Sequence, residues 1–82
     1  MRLAFEHLGI TLNGKYISSF DRFHNDLDSL IVLWMSNGVR YSFSGSPDNI
    51  NSLYSSLHMA MDDTNETIFN RTIKSCAYGS VK

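Results

Sequence analysis

Cysteine and proline are almost absent from this chain of 82 residues, which has one of each. A single cysteine, Cys76, cannot form an intramolecular disulfide, so packing alone must hold the fold. Charge of either sign is also sparse, with seven Lys and Arg against eight Asp and Glu and no runs of one sign. A net charge of −1 spread in this way gives no broad electrostatic attraction to nucleic acid or to an anionic membrane.

Long apolar runs are missing as well. The longest, Leu30 to Met35, has six residues, whereas a membrane-spanning helix needs about 20. Near the N-terminus, Glu6 and His7 interrupt the stretch where a signal peptide carries its apolar segment. We therefore expect a cytoplasmic protein that does not enter a membrane.

The sequence contains no motif that carries catalysis or cofactor binding. There is no P-loop, dinucleotide-binding fingerprint, CxxC pair or GxSxG. The loop His24–Asp28 offers one imidazole and two carboxylates, but it lacks the glycine and the distal glutamate of a calcium loop, and a solvated turn explains it better. Cys76 lies near the C-terminus without an oriented base that the sequence can identify. We expect a protein that is not an enzyme and holds neither cofactor nor metal.

What remains is the material for one small domain, residues 1–82. The composition is 43% hydrophobic and 12% aromatic, as in an ordinary globular protein. A chain of this length buries only somewhat more than about 60% of the surface that its unfolded form exposes. We expect modest stability, which dimerisation would supplement.

The most patterned stretch, Ser29–Ser44, predicts a β-hairpin around Asn37-Gly38. Asn-Gly favours a type I′ turn, which needs positive φ at both central residues. A two-residue loop places Trp34 opposite Tyr41. Two residues further from the turn, it places Val32 opposite Phe43. The predicted buried face consists of Val32, Trp34, Tyr41 and Phe43.

The opposite face of this hairpin is the predicted partner-binding surface. Its first strand supplies apolar residues, whereas its second strand supplies polar residues that are unsuited to a closed core. We expect a partner, or a second copy in a homodimer, to bind at Ile31, Leu33, Met35 and Arg40. The alternative is that the segment 63–78 covers this face within the chain.

A second Asn-Gly pair, Asn13-Gly14, predicts another hairpin, in which Ile10 faces Ile17. Its first strand runs from residue 2 to residue 12, with a bulge near 7–9. The polar stretch Asp21–Asp28 is interpreted as the linker between the two hairpins. Two hairpins in tandem predict a four-stranded antiparallel meander.

A helix is predicted over residues 47–62. Ser46 can cap it, Pro47 suits its first position, and Asp48 complements the positive end of the helix dipole. Its apolar stripe consists of Ile50, Leu53, Tyr54, Leu57, Ala60 and Met61. For residues 64–78 we favour a second helix over an edge strand. The expected fold class is α+β, a four-stranded antiparallel meander packed on one or two C-terminal helices.

These features favour a small non-enzymatic protein-binding module. The combination of size, near-neutral charge and missing catalytic groups is similar to that of the small inhibitors and adaptors that phages and mobile elements encode. We expect an inhibitor of a host or defence protein that acts by occluding a surface. The alternative is a regulatory single-strand nucleic-acid binding protein, in which aromatic side chains on the sheet stack on bases. The basic residues near the aromatics, Lys15 and Arg40, are few for that task.

Overall fold

The computed structural model describes residues 2–25, 27–62 and 66–80, with the backbone alone at 60–62 and 80. Two β-sheets and one helix make up the fold, and a short 3₁₀ turn, Gly14–Tyr16, follows the second strand. In chain order the elements are β1 (Arg2–Phe5), β2 (Ile10–Asn13), β3 (Ile17–His24), β4 (Ser29–Met35), β5 (Val39–Gly45), α1 (Pro47–Asp62), β6 (Glu66–Phe69) and β7 (Ser75–Ser80).

The mixed α+β class and the four-stranded antiparallel sheet are confirmed. The large sheet has the strand order β3-β4-β5-β7, and every neighbouring pair in it is antiparallel. The small sheet has the order β2-β1-β6, with β1 antiparallel to β2 and parallel to β6. The first three strands of the large sheet form a meander. Its fourth strand, however, comes from the end of the chain rather than from the beginning.

The turn between β4 and β5 is not the predicted type I′ turn. Among the described residues, positive φ occurs only at Gly9 and at Gly38, whose φ is 88°. The Gly38 N–H donates to the Met35 carbonyl at 3.1 Å, and Trp34 lies opposite Arg40 rather than Tyr41. The loop therefore has three residues, 36–38, with glycine at the left-handed position, as in the second most common hairpin family.

This one-residue slip turns the side chains of β4 to the other side of the sheet. Ile31 and Leu33 are 0% exposed and lie in the core, so their expected exposure was wrong. Val32 and Trp34, which were expected in the core, keep part of their surface in solvent. For β5 the predicted buried side is correct, because Phe43 is buried.

Gly38→Val is expected to destabilise the fold by roughly 1–3 kcal/mol, because a β-branched residue is strained at positive φ. Urea denaturation followed by circular dichroism measures the loss. Gly79→Ala is the matched control, since the space around the added methyl group is open and the backbone there does not have positive φ. Equal midpoints for the two variants would contradict the turn assignment.

The Asn13-Gly14 pair does not form a hairpin. Asn13 has φ −93° and ψ 115°, and its side chain accepts a hydrogen bond from the Lys15 N–H, which starts the 3₁₀ turn. The chain instead reverses at residues 6–9, where a bulge was predicted, and Gly9 adopts φ 67°. Phe5 therefore pairs with Ile10 in the first hairpin.

The predicted linker 21–28 is also shorter than expected. Its first four residues continue β3 as far as His24, because pairing with β4 supplies their backbone hydrogen bonds. The remaining loop is closed by a hydrogen bond from the Asn25 N–H to the Asp28 carbonyl at 2.8 Å. Phe23 is therefore a strand residue, and its pairing with Leu30 determines the side of the sheet on which its ring lies.

The helix α1 begins and ends at the predicted residues, Pro47 and Asp62. Ser46 caps it, since its hydroxyl accepts from the Asn49 N–H at 3.4 Å and its carbonyl accepts from the Ile50 N–H at 2.9 Å. The predicted apolar stripe is buried at Ile50, Leu53 and Leu57. The side chains of residues 60 and 61 lie outside the described part.

The second helix predicted over 64–78 is wrong, and this segment forms two strands. β6 adds to the small sheet beside β1, and β7 adds to the large sheet beside β5. Both strands satisfy backbone groups that the edges of the two sheets would otherwise leave unpaired.

Phe43 links the two sheets in the core. Its ring stacks on Phe5 of the small sheet, with a centroid distance of 4.9 Å and an interplanar angle of 11°. On its other side Tyr41 stacks at 6.0 Å, and Phe5 in turn contacts Phe69 at 5.7 Å. Strands of both sheets also contact α1. The core therefore lies on one side of the large sheet.

Candidate functional site

We call the side of the large sheet that faces away from α1 the outer face. Side chains alternate along each strand, so every second residue belongs to it. None of these residues is buried. The cross-strand pairs define its members as Ser19, Asp21 and Phe23 of β3, Leu30, Val32 and Trp34 of β4, Arg40, Ser42 and Ser44 of β5, and Ser75, Ala77 and Gly79 of β7.

The half of the outer face on β3 and β4 carries an apolar ridge. Phe23 is 51% exposed and lies opposite Leu30, and Val32 and Trp34 continue the row along β4. These four residues are neighbours on one flat surface rather than scattered apolar positions. Contiguous exposed patches of this kind are typical of binding surfaces.

The half of the outer face on β5 and β7 is low except at Arg40, because its other residues are small. Ser42 lies opposite Ala77, and Arg40 lies opposite Gly79. Together they line a shallow depression of about 60 Å³ beside the apolar ridge. Further along, the hydroxyls of Ser44 and Ser75 bond to each other across the strands.

One carboxylate and one guanidinium flank the ridge. Asp21 is on β3 and Arg40 is on β5, so β4 runs between them. The Arg40 guanidinium lies 5.6 Å from the Trp34 ring centroid, a cation–π distance. Within residues 2–25, 27–62 and 66–80, neither charge has an ionic partner within 4.0 Å. Neither charge therefore has a described ion pair to break when a partner binds.

Of the predicted site residues, the structure leaves only Arg40 on this face. Ile31 and Leu33 are buried under α1, and Met35 lies half-buried at the far end of β4 beside Tyr16. The sequence-based prediction placed the wrong set of alternating β4 side chains on the binding face. It missed Phe23 because that residue was assigned to a linker. An apolar strand does lie beside the polar residues of β5, as expected. The side chains that form it are Leu30, Val32 and Trp34.

Cys76 does not have the surroundings of a nucleophile. It pairs with Phe43 across the strands and packs against the core. Burial raises the pKa of its thiol above the ordinary value, so the reactive thiolate is disfavoured at neutral pH. In the described part of the chain, no group of three or more His, Cys, Asp or Glu side chains is placed to hold a metal ion.

The loop after β3 uses its polar groups internally. The Lys74 ammonium donates to the Asp28 carboxylate at 2.7 Å, and the His24 ring and the Ser29 hydroxyl are 2.7 Å apart. The third predicted polar group of this loop, at residue 26, lies outside the described residues. Elsewhere, α1 is too short and too polar to cross a bilayer, and it is the one α-helix of the described residues.

Comparison of the chain with protein-family models, with curated proteins and with solved structures gave no match.

Proposed function

We propose that this protein is a small non-enzymatic binding module whose outer face covers a surface of a protein partner. The observation that carries the proposal is the exposed ridge of Phe23, Leu30, Val32 and Trp34 with Arg40 beside it. Trp and Arg are the residues that most often dominate the energy of protein interfaces. The ridge contains no Lys or Glu, which interfaces tend to exclude from their centre.

The mode of action in this proposal is occlusion. In this mode a sheet face that offers no catalytic group acts on its target by covering part of the target's surface. This is the manner of action of small inhibitors encoded by phages and mobile elements, and we propose the same class for this chain. The setting is the cytoplasm, where Cys76 stays a free thiol.

A nucleic-acid binder is the second candidate, because Trp34 and Phe23 present aromatic rings on an open sheet. Two features of the outer face favour a protein instead. Arg40 is its single cation and is already stacked against Trp34, and Asp21 adds a carboxylate that would repel phosphate groups. The face therefore lacks the positive groove that single-strand binders use.

Val32→Asp is expected to abolish capture of a partner while leaving the fold intact, because it places a charge at the centre of the ridge. The measurement is affinity capture from nuclease-treated bacterial lysate, with bound proteins identified by mass spectrometry. Ser55→Asp, on the exposed side of α1, is the matched control and should capture the same protein as the wild type.

Two results would contradict the proposal. The first is equal capture by the wild type and by Val32→Asp. The second is a nuclease-sensitive complex together with tight binding of a labelled single-stranded oligonucleotide, weakened steeply by salt. That second result would favour the nucleic-acid alternative.

A further inference from the structure

We infer that the outer face also binds the outer face of a second copy of this chain, which gives a two-fold symmetric homodimer. The inference rests on the proposed function, because it uses the same binding face and names one occupant for it. In a two-fold interface both copies contribute the same patch, so the patch must be complementary to itself. The outer face meets this requirement in shape and in charge.

The complementarity in shape comes from the two unequal halves of the face. The large apolar side chains lie on β3 and β4, and apart from Arg40 the residues of β5 and β7 are small. A two-fold axis that runs along the strands between β4 and β5 lays β4 over β5 of the second copy, and β3 over β7. The ridge of each copy then enters the low half of the other. Val32 meets Ser42 of the second copy, and Phe23 meets Ser75 of the second copy. Trp34 meets Arg40 of the second copy, which is a cation–π pair and not a contact with a small residue.

This arrangement is ordinary sheet-on-sheet packing. Two sheets that pack face to face lie about 10 Å apart, with their strands inclined by about 30°. Their contact layer is filled by side chains that interdigitate. Large residues on one half and small residues on the other are what such interdigitation needs when both sheets have the same sequence.

The charges follow the same symmetry. Asp21 and Arg40 lie two strands apart and two residues apart along the strands, which is about 12 Å at the usual strand spacing and rise. Rotation about the axis reduces the lateral offset between the carboxylate of each copy and the guanidinium of the other to one strand and two residues, about 8 Å. At this distance the opposite charges in the two equivalent pairs attract each other without a direct contact. Because the face carries one charge of each sign, the two copies do not repel each other.

The size of the face sets the strength of the expected dimer. Four strands about 4.8 Å apart and about six residues long give a footprint of roughly 400 Å² per copy. A standard stable interface buries about 800 Å² per partner, so this one belongs to the weak, reversible class. The association must therefore be measured at micromolar concentrations.

Sedimentation equilibrium of the full chain from about 5 to about 500 µM covers this class of interface. The wild type should change from monomer to dimer within that range. Ala77→Glu fills the low half of the face at an exposed position that lies over Asp21 of the second copy. It should raise the dissociation constant about tenfold or more, because it adds both bulk and a like charge. Ser55→Glu, which adds the same charge on α1, should leave the dissociation constant unchanged.

A charge-swap experiment tests the symmetry directly. Asp21→Arg and Arg40→Asp should each weaken self-association, because each leaves two like charges on every face. An equimolar mixture of the two variants should associate at least as well as the wild type, since each face then meets its opposite. Circular dichroism checks that both variants are folded.

The results separate this inference from the proposed function. A wild type that stays monomeric throughout overturns the homodimer, and so does a dimer that neither Ala77→Glu nor the charge variants weaken. In both cases the proposed function stands if Val32→Asp still loses capture of its partner. Dimerisation by the predicted face together with unchanged capture by Val32→Asp supports the homodimer and overturns the proposed function.

Discussion

Leu33→Asp is expected to leave the chain unfolded at room temperature. Leu33 is 0% exposed and belongs to the core cluster that α1 covers. Replacing it removes about 2–5 kcal/mol of apolar burial and packing, and the new carboxylate would be buried without a partner, at a further cost of several kcal/mol. A single core of this size rarely supplies more than about 3–5 kcal/mol in total. Far-ultraviolet circular dichroism and one-dimensional NMR of the purified variant measure the outcome.

Val32→Asp is the control, because it makes the same chemical change one residue away. Val32 lies on the outer face and keeps part of its surface in solvent, so its carboxylate remains hydrated. We expect a folded protein with a cooperative unfolding transition and a loss of stability of about 1–2 kcal/mol, from the lower strand propensity of Asp and from repulsion by the Asp21 carboxylate directly opposite it. The opposite outcome, in which Val32→Asp unfolds and Leu33→Asp folds, would restore the register that the sequence alone predicts.

Phe43→Ala should lower the free energy of unfolding by about 3–5 kcal/mol. Its ring is 0% exposed and stacks on Phe5, so that truncation opens a cavity at the place where the two sheets meet. Urea denaturation at several temperatures gives the change, and the shape of the transition gives additional information. We expect the small sheet to lose its protection against amide hydrogen exchange before the large sheet does, because Phe43 holds the two together.

Phe23→Ala is the matched truncation on the outer face. Phe23 is 51% exposed and its ring packs against no core residue of the cluster. A loss of less than about 1 kcal/mol is therefore expected, as for ordinary surface positions. Similar losses for the two phenylalanines would mean that the outer face is covered within the chain.

The part of the fold that could be predicted depends on local chemistry. Ser46, Pro47 and Asp48 specify the start of α1 without reference to any other segment, and the apolar spacing that follows specifies which side is buried. The separation of β5 into a buried and an exposed side was also predictable, since Phe43 and Arg40 differ so much in polarity. In both elements each local preference agrees with the final structure.

The candidate site could not be read in the same way, because β4 is apolar on both sides. Ile31 and Leu33 suit a core as well as Val32 and Trp34 do, so alternation in this strand carries no information about its facing. The turn sequence does not determine the register of β4 either. Asn37-Gly38 fits a two-residue loop with positive φ at both positions and also a three-residue loop with positive φ at Gly38 alone.

The sequence by itself therefore determined the α+β class, the helix and the polar side of β5. Only the tertiary structure decided the register of β4 and the positions of β6 and β7. The physical reason is that a slip of one residue costs little in local hydrogen bonding but exchanges one complete set of side chains for the other. In the structure α1 and the small sheet cover Ile31 and Leu33, and Val32 and Trp34 are left on the outer face.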